Sequence, residues 1–156
     1  MTKVIISILS VLVILFPFSS FIVGTYQQLT FPGVQEITND IIDAVKSNDV
    51  AAIEEMLSKE TKQNMEDPQK KISEFLQIFD GEVIDAKKGH GGGGESNSGA
   101  GYVYKVETWK IEVKTTQSTY WIWVTWVIAD TRTPKEVGLA GMTVTDTSYN
   151  LLSEIC

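Results

Sequence analysis

The sequence predicts an α+β domain, with helices packed on one face of a four-stranded antiparallel sheet and a hydrophobic segment ahead of them. Two observations predict the domain: apolar residues recur with helical period between Ile37 and Phe79, and the period changes to two after Gly81. A third, the apolar run that opens the chain, predicts the extra segment.

The first helix is expected across EITNDIIDAVKSN, where Ile37, Ile41, Ala44 and Val45 fall on one side. Asn48 or Asp49 caps a second, VAAIEEMLS, with Val50, Ile53 and Leu57 aligned. The third lies in MEDPQKKISEFLQIF. Asp67 suits its N-cap, and Pro68 suits the first helical position, where the missing N–H removes nothing. Ile72, Phe75, Leu76 and Phe79 form its stripe, and Asp80-Gly81 ends it.

Four strands follow: EVIDAKK, then Tyr102 to Lys114, Tyr120 to Ala129 and Glu136 to Thr145. A tip at Thr116-Gln117 sets the central hairpin so that Trp109 opposes Val124, Ile111 opposes Ile122 and Val113 opposes Tyr120. That face, with Trp126 and Ile128, is expected to lie dry against the helices. The other face carries Tyr102, Tyr104, Val106, Thr108, Lys110 and Glu112 beside Trp121, Trp123, Thr125 and Val127. Lys110 is expected opposite Trp123, as a cation–π pair.

The opening run, MTKVIISILSVLVILFPFSSFIVG, has a cationic start at Lys3 and then an apolar stretch to Phe16, the form of a secretory leader. Uncleaved, Val4 to Val23 is long enough to cross a hydrocarbon core of about 30 Å. Residues 1–24 are therefore expected as a signal peptide or membrane anchor. Residues 25–35 would be a linker, 36–150 the domain and 151–156 a tail. The domain is expected outside the cytoplasm, tethered or secreted.

Of the 156 residues, 13 are Lys or Arg and 20 Asp or Glu, for a net charge of −7. No basic stretch exists to displace counterions, so nucleic acid is not expected as a partner. The single cysteine, Cys156, allows no internal disulfide and no C-x-x-C metal or redox pair.

Gly89, Gly91 and Gly94 spell G-x-G-x-x-G in KGHGGGGESNSGAGY. A dinucleotide loop must open a helix, so that phosphate meets a helix N-terminus. Here a strand follows, and no Gly-Lys-Ser/Thr ending is present. The stretch is expected to be a slack strand connection, with a flap over a pocket mouth as the functional alternative. His90 lies within it without a carboxylate at fixed spacing, so it is expected to be solvated. Asp40, Asp43, Glu54, Glu55, Glu66 and Glu74 are expected on wet helix faces. No catalytic residue, metal ligand or cofactor is expected.

Three stretches carry a resemblance. IIDAVKSNDVAAIEEMLS resembles the opening of nuclear-transport-factor-2-like (cystatin-like) domains. FDGEVIDAKKGHGGGGES and TPKEVGLAGMTV, flanking YWIWVTWVIAD, resemble an exported bacterial family, domain of unknown function 5104, over roughly residues 35–150. The resemblance implies a curved sheet wrapped by helices, a cone with an apolar pocket. Many members are lipoproteins, but no cysteine for acylation follows the leader here.

The aromatic residues point to function. Large aromatic side chains bury about 150–250 Å² each when covered, and monomers rarely leave a contiguous apolar patch bare. Trp121, Trp123, Tyr102, Tyr104 and Lys110 are therefore the expected contact surface of a non-enzymatic binding domain, with the apolar pocket of the cone as the other place for contact. Its partner would be a protein, a small apolar ligand or a second copy of the chain. The alternative is a small enzyme whose cone pocket holds a carboxylate as general acid or base, with Asp85 and Glu107 as candidates.

Overall fold

The structure, a computed structural model, describes residues 33–99 and 102–155. The leader, residues 25–32 of the expected linker and Cys156 lie outside the described residues. Among the described residues, no helix is long and apolar enough to cross a membrane.

Helix α1 spans Val34–Ser47 and ends at Asn48, whose φ of 54° turns the chain. Asp49 accepts the Ala52 N–H at 3.0 Å and so caps α2, Val50–Met56. A short helix absent from the sequence reading follows: α3, Lys59–Asn64, capped by the Ser58 hydroxyl on the Thr61 N–H. Asp67 accepts from the Lys70 N–H, and Pro68 opens α4, Pro68–Leu76, as expected.

The sheet is antiparallel and five-stranded in the order β1-β2-β3-β4-β5: Val83–Gly99, Tyr102–Thr115, Thr119–Asp130, Gly138–Asp146 and Leu151–Ile155. A 3₁₀ turn at Pro134–Glu136 joins β3 to β4. The four-strand expectation is corrected by β5, which forms where a tail was expected and pairs Ile155 with Met142.

The glycine stretch is corrected as well. It is not a slack connection but the second half of β1, paired with β2 from Gly92↔Trp109 to Gly99↔Tyr102. A register shift between Lys88 and Gly92 re-aims the strand. Gly92 has φ 124°, and a Cβ there would sit 2.3 Å from the Thr108 carbonyl oxygen, so the bulge demands glycine.

The central hairpin takes the expected register: Trp109↔Val124, Ile111↔Ile122 and Val113↔Tyr120. At its tip the Thr115 hydroxyl accepts from the Gln117 and Ser118 N–H groups. The dry face closes on the helices. Ile41, Ile53, Ile72 and Phe75 are fully buried with Ile111, Ile122, Val124 and Leu139 in one core cluster.

The core covers only part of the hairpin. From Trp109 to Thr115, β2 alternates buried and half-buried, whereas Tyr102 to Thr108 is half-buried throughout. In that second region Lys105 and Glu107 form an ion pair at 3.2 Å on the side that is apolar further along. Opposite that region on β3, Val127, Ile128 and Ala129 are buried but stand outside the core cluster, and this end of the β1–β2 hairpin is termed the arm.

Candidate functional site

Alternation along YWIWVTW builds the site. Tyr120, Ile122 and Val124 face the helices and are buried, which turns Trp121, Trp123 and Thr125 to the opposite, outer face. Cross-strand neighbours complete it. Trp121 lies between Glu112 and Thr145, Trp123 between Lys110 and Thr143, and Thr125 between Thr108 and Gly141. The Thr108 and Thr125 hydroxyls are 3.4 Å apart.

Lys110 binds this surface together. Its Nζ is 3.8 Å from the centre of the Trp121 indole and 5.8 Å from that of Trp123. The expected cation–π partner was Trp123, directly opposite in register; the closer ring is Trp121, on the diagonal, which the length of a lysine reaches. Among the described residues Lys110 makes no ion pair, whereas Lys87 and Lys114 each approach Glu112 at 3.6 Å.

The turn after β4 supplies a residue that the sequence reading missed. Asp146 accepts from the Ser148 and Asn150 N–H groups and from the Asn150 side-chain amide. These bonds hold its carboxyl below the usual carboxylate range. The turn carries Tyr149 at φ 65°, in the left-handed region. The Tyr149 ring stands edge-on to Trp121, with centroids 4.5 Å apart. The Asp-x-Ser-x-Asn spelling signals a turn, but nothing in it says that the intervening tyrosine folds back onto a strand.

Tyr102 and Tyr104 share the outer face but not the site. Tyr104 is six positions along β2 from Lys110, roughly 20 Å at about 3.4 Å per residue. They sit on the arm, where the Arg132 guanidinium lies 4.0 Å from the Tyr102 ring centre. Burial and the Asp130 carboxylate push the Tyr102 hydroxyl above its usual range, against the pull of Arg132. The five expected contact residues thus divide into Trp121, Trp123 and Lys110 at the centre and the two tyrosines at the end.

The carboxylates singled out for acid–base work lie on β1 and β2. Asp85 is exposed, and Glu107 is the partner of Lys105. Carboxylates gather instead at the 3₁₀ turn. Burial, then the neighbouring Glu60 and Asp130, push the Glu136 carboxyl up, and Lys135 opposes them. Lys135 also binds Glu60 at 3.1 Å, and Asp130 accepts from the Arg132 and Thr133 N–H groups. Among the described residues, no group of three or more His, Cys, Asp or Glu is placed to hold a metal. His90 is exposed on β1.

The sequence profile of the family described as Domain of unknown function (DUF5104) matches residues 40–147. The chain belongs to that family. No curated protein matches it. In this DUF5104 chain the match runs from within α1 to just past β4. It takes in Trp121, Trp123, Lys110 and Thr145, and it stops short of Tyr149 and β5.

Proposed function

We propose that the chain is a non-enzymatic binding domain that meets its partner on the outer sheet face around Trp121, Trp123 and Lys110. The observation that carries this reading is one strand with two unlike faces. The inner residues of β3 lie buried in the core shared with the helices, while two indoles and a lysine that makes no ion pair among the described residues are only half-covered on the other side. Tryptophans gathered on a surface are frequent anchors of an interface. The cationic, apolar leader supports an exported or membrane-tethered setting, with contact outside the cytoplasm. Helices on one face of an antiparallel sheet are also compatible with kinship to the cystatin-like, nuclear-transport-factor-2-like superfamily.

The test uses two kinds of variant. Trp121→Ala with Trp123→Ala removes the anchors; Thr125→Arg plants a bulky charge beside Trp123, on the same face, and leaves the core untouched. Native mass spectrometry of the protein drawn from its own cells should show loss of a bound partner or of a second copy in both. An unchanged assembly in both variants contradicts the proposal.

A second reading, a carboxylate acid–base enzyme, would rest on Glu136 and its raised carboxyl beside Glu60. The open setting of that turn supports it less, because a general acid works best where water is excluded.

A further inference from the structure

The outer face holds polar atoms that nothing in the described chain satisfies. Thr145 is only 7% exposed and its Oγ1 has no hydrogen-bond partner; Trp121 Nε1 is likewise buried and unpartnered. These two residues are directly opposed in the β3–β4 register, on one face. Lys110 Nζ lies over the same indole at 3.8 Å. Trp109 Nε1 is also unpartnered, but it belongs to the inner face, with no cation against its ring.

Buried polar atoms are nearly always paired, so two orphans side by side call for an account. An indole N–H can only donate, an ammonium can only donate, and a hydroxyl rotates to donate. Three donors around one indole want an anionic acceptor. A phosphate would ordinarily call on arginine forks, and the single arginine, Arg132, sits on Tyr102 at the arm. A carboxylate, planar and singly charged, fits the set better.

The cover and the neighbouring groove say what carries that carboxylate. Tyr149 lies against Trp121 from a left-handed backbone position that bulky residues rarely hold, and it is 62% exposed. Beside Trp123 runs a shallow groove of about 270 Å³, lined by Thr125, Gly141, Thr143 and Ile155 among others. Sites for drug-sized ligands span about 300–1,000 Å³ and enclose most of the ligand, which this open groove does not. Trp121 and Trp123 are about 6.8 Å apart along the strand, the repeat of same-side residues in any extended polypeptide.

We infer that Trp121 Nε1, Thr145 Oγ1 and Lys110 Nζ form a subsite for a carboxylate on an extended partner polypeptide. An aliphatic side chain two residues away fills the groove beside Trp123, and Tyr149 is the cap that swings aside. The partner motif is acidic–x–aliphatic. This inference rests on the binding face proposed above.

The test follows the indole ¹H–¹⁵N signals of the full chain in detergent micelles as acetyl-Asp-Gly-Leu-Gly-amide is added. The Asn and Lys counterparts of that peptide are titrated alongside. The Asp peptide should shift Trp121 and Trp123 saturably, leave Trp109 in place, and bind about tenfold more tightly than the Asn peptide, an increment typical of a charge-assisted hydrogen bond. The Lys peptide should not bind. In Lys110→Met and Thr145→Val the preference for Asp over Asn should fall to about twofold or less, and Tyr149→Gly should bind the Asp peptide more tightly. Equal binding of the Asp and Asn peptides overturns the carboxylate subsite and leaves the binding face standing. No peptide-induced shift at Trp121 or Trp123 overturns both the subsite and a polypeptide partner on that face.

Discussion

Strand β3 gives its two sides very different company. Ile122 and Val124 are fully buried in one core cluster with residues of α1, α2 and α4, while Trp121 and Trp123, each one residue away, have Lys110, Glu112, Tyr149 and a row of threonines as neighbours. The same alternation that seals one face dictates the other. A sheet needs one apolar face to fold; a second face rich in indoles adds little to that requirement and so asks for a different use. Substitutions on the two faces should therefore separate stability from contact.

The largest effect should come from the inner face. Phe75→Ala or Ile122→Ala removes a fully buried side chain, and equilibrium unfolding should show a loss of about 2–5 kcal/mol. Trp123→Ala, on the outer face, should cost about half that or less, because its ring is only half-covered. Equal losses would break the comparison, since they would make the outer face a second core.

Next comes the arm. Gly92→Ala forces a side chain into the Thr108 carbonyl at a φ that suits glycine, and should cost about 1–3 kcal/mol in thermal or chemical melts. Hydrogen exchange should place the damage in Gly92 to Thr108 and spare the Ile111–Ile122 pairing. Asp67→Ala, which removes the α4 cap, should cost about 1 kcal/mol with no effect on partner binding.

The smallest effect is a pH response of the outer face. The Asp146 carboxyl titrates below its unfolded value because the folded turn donates hydrogen bonds to it. Its stabilising contribution is present above the unfolded pKa and is lost as pH falls through the folded one. Tyr149 should then loosen from Trp121, and tryptophan emission should change before global unfolding. Asp146→Asn should show the changed emission already at neutral pH. Glu136 runs the other way: its raised carboxyl weakens the fold as pH rises through its folded pKa, an effect that Glu136→Gln should remove.

Most of the helical layer and the central hairpin were legible in the sequence, because local rules governed them. Asp67-Pro68 fixed a helix start, and the alternation around Ile111 and Ile122 fixed a register. What escaped notice depended on partners distant along the chain. KGHGGGGESNSG has poor strand propensity, yet it pairs because β2 offers it a ladder and Gly92 lets the backbone approach. Strand β5 is too short to declare itself, and it forms by docking on the edge of β4. The two tyrosines of the arm share a face with the tryptophans, but period alone says nothing about distance along it. Thr145 joined the site through its pairing with Trp121 across β3 and β4, and Tyr149 through the fold of the Asp146 turn.

The central claim, that the outer face is where this protein makes contact, is tested most directly by thiol labelling in a Cys156→Ser background. Cysteine is placed at Thr125 on the outer face or at Glu55 on an exposed helix, and labelling rates are compared between the native cell extract and the purified, diluted chain. The account predicts that position 125 labels at least about tenfold more slowly in the extract while position 55 is unchanged, since interfaces exclude solvent from their centres. Equal labelling of position 125 in both settings would contradict it.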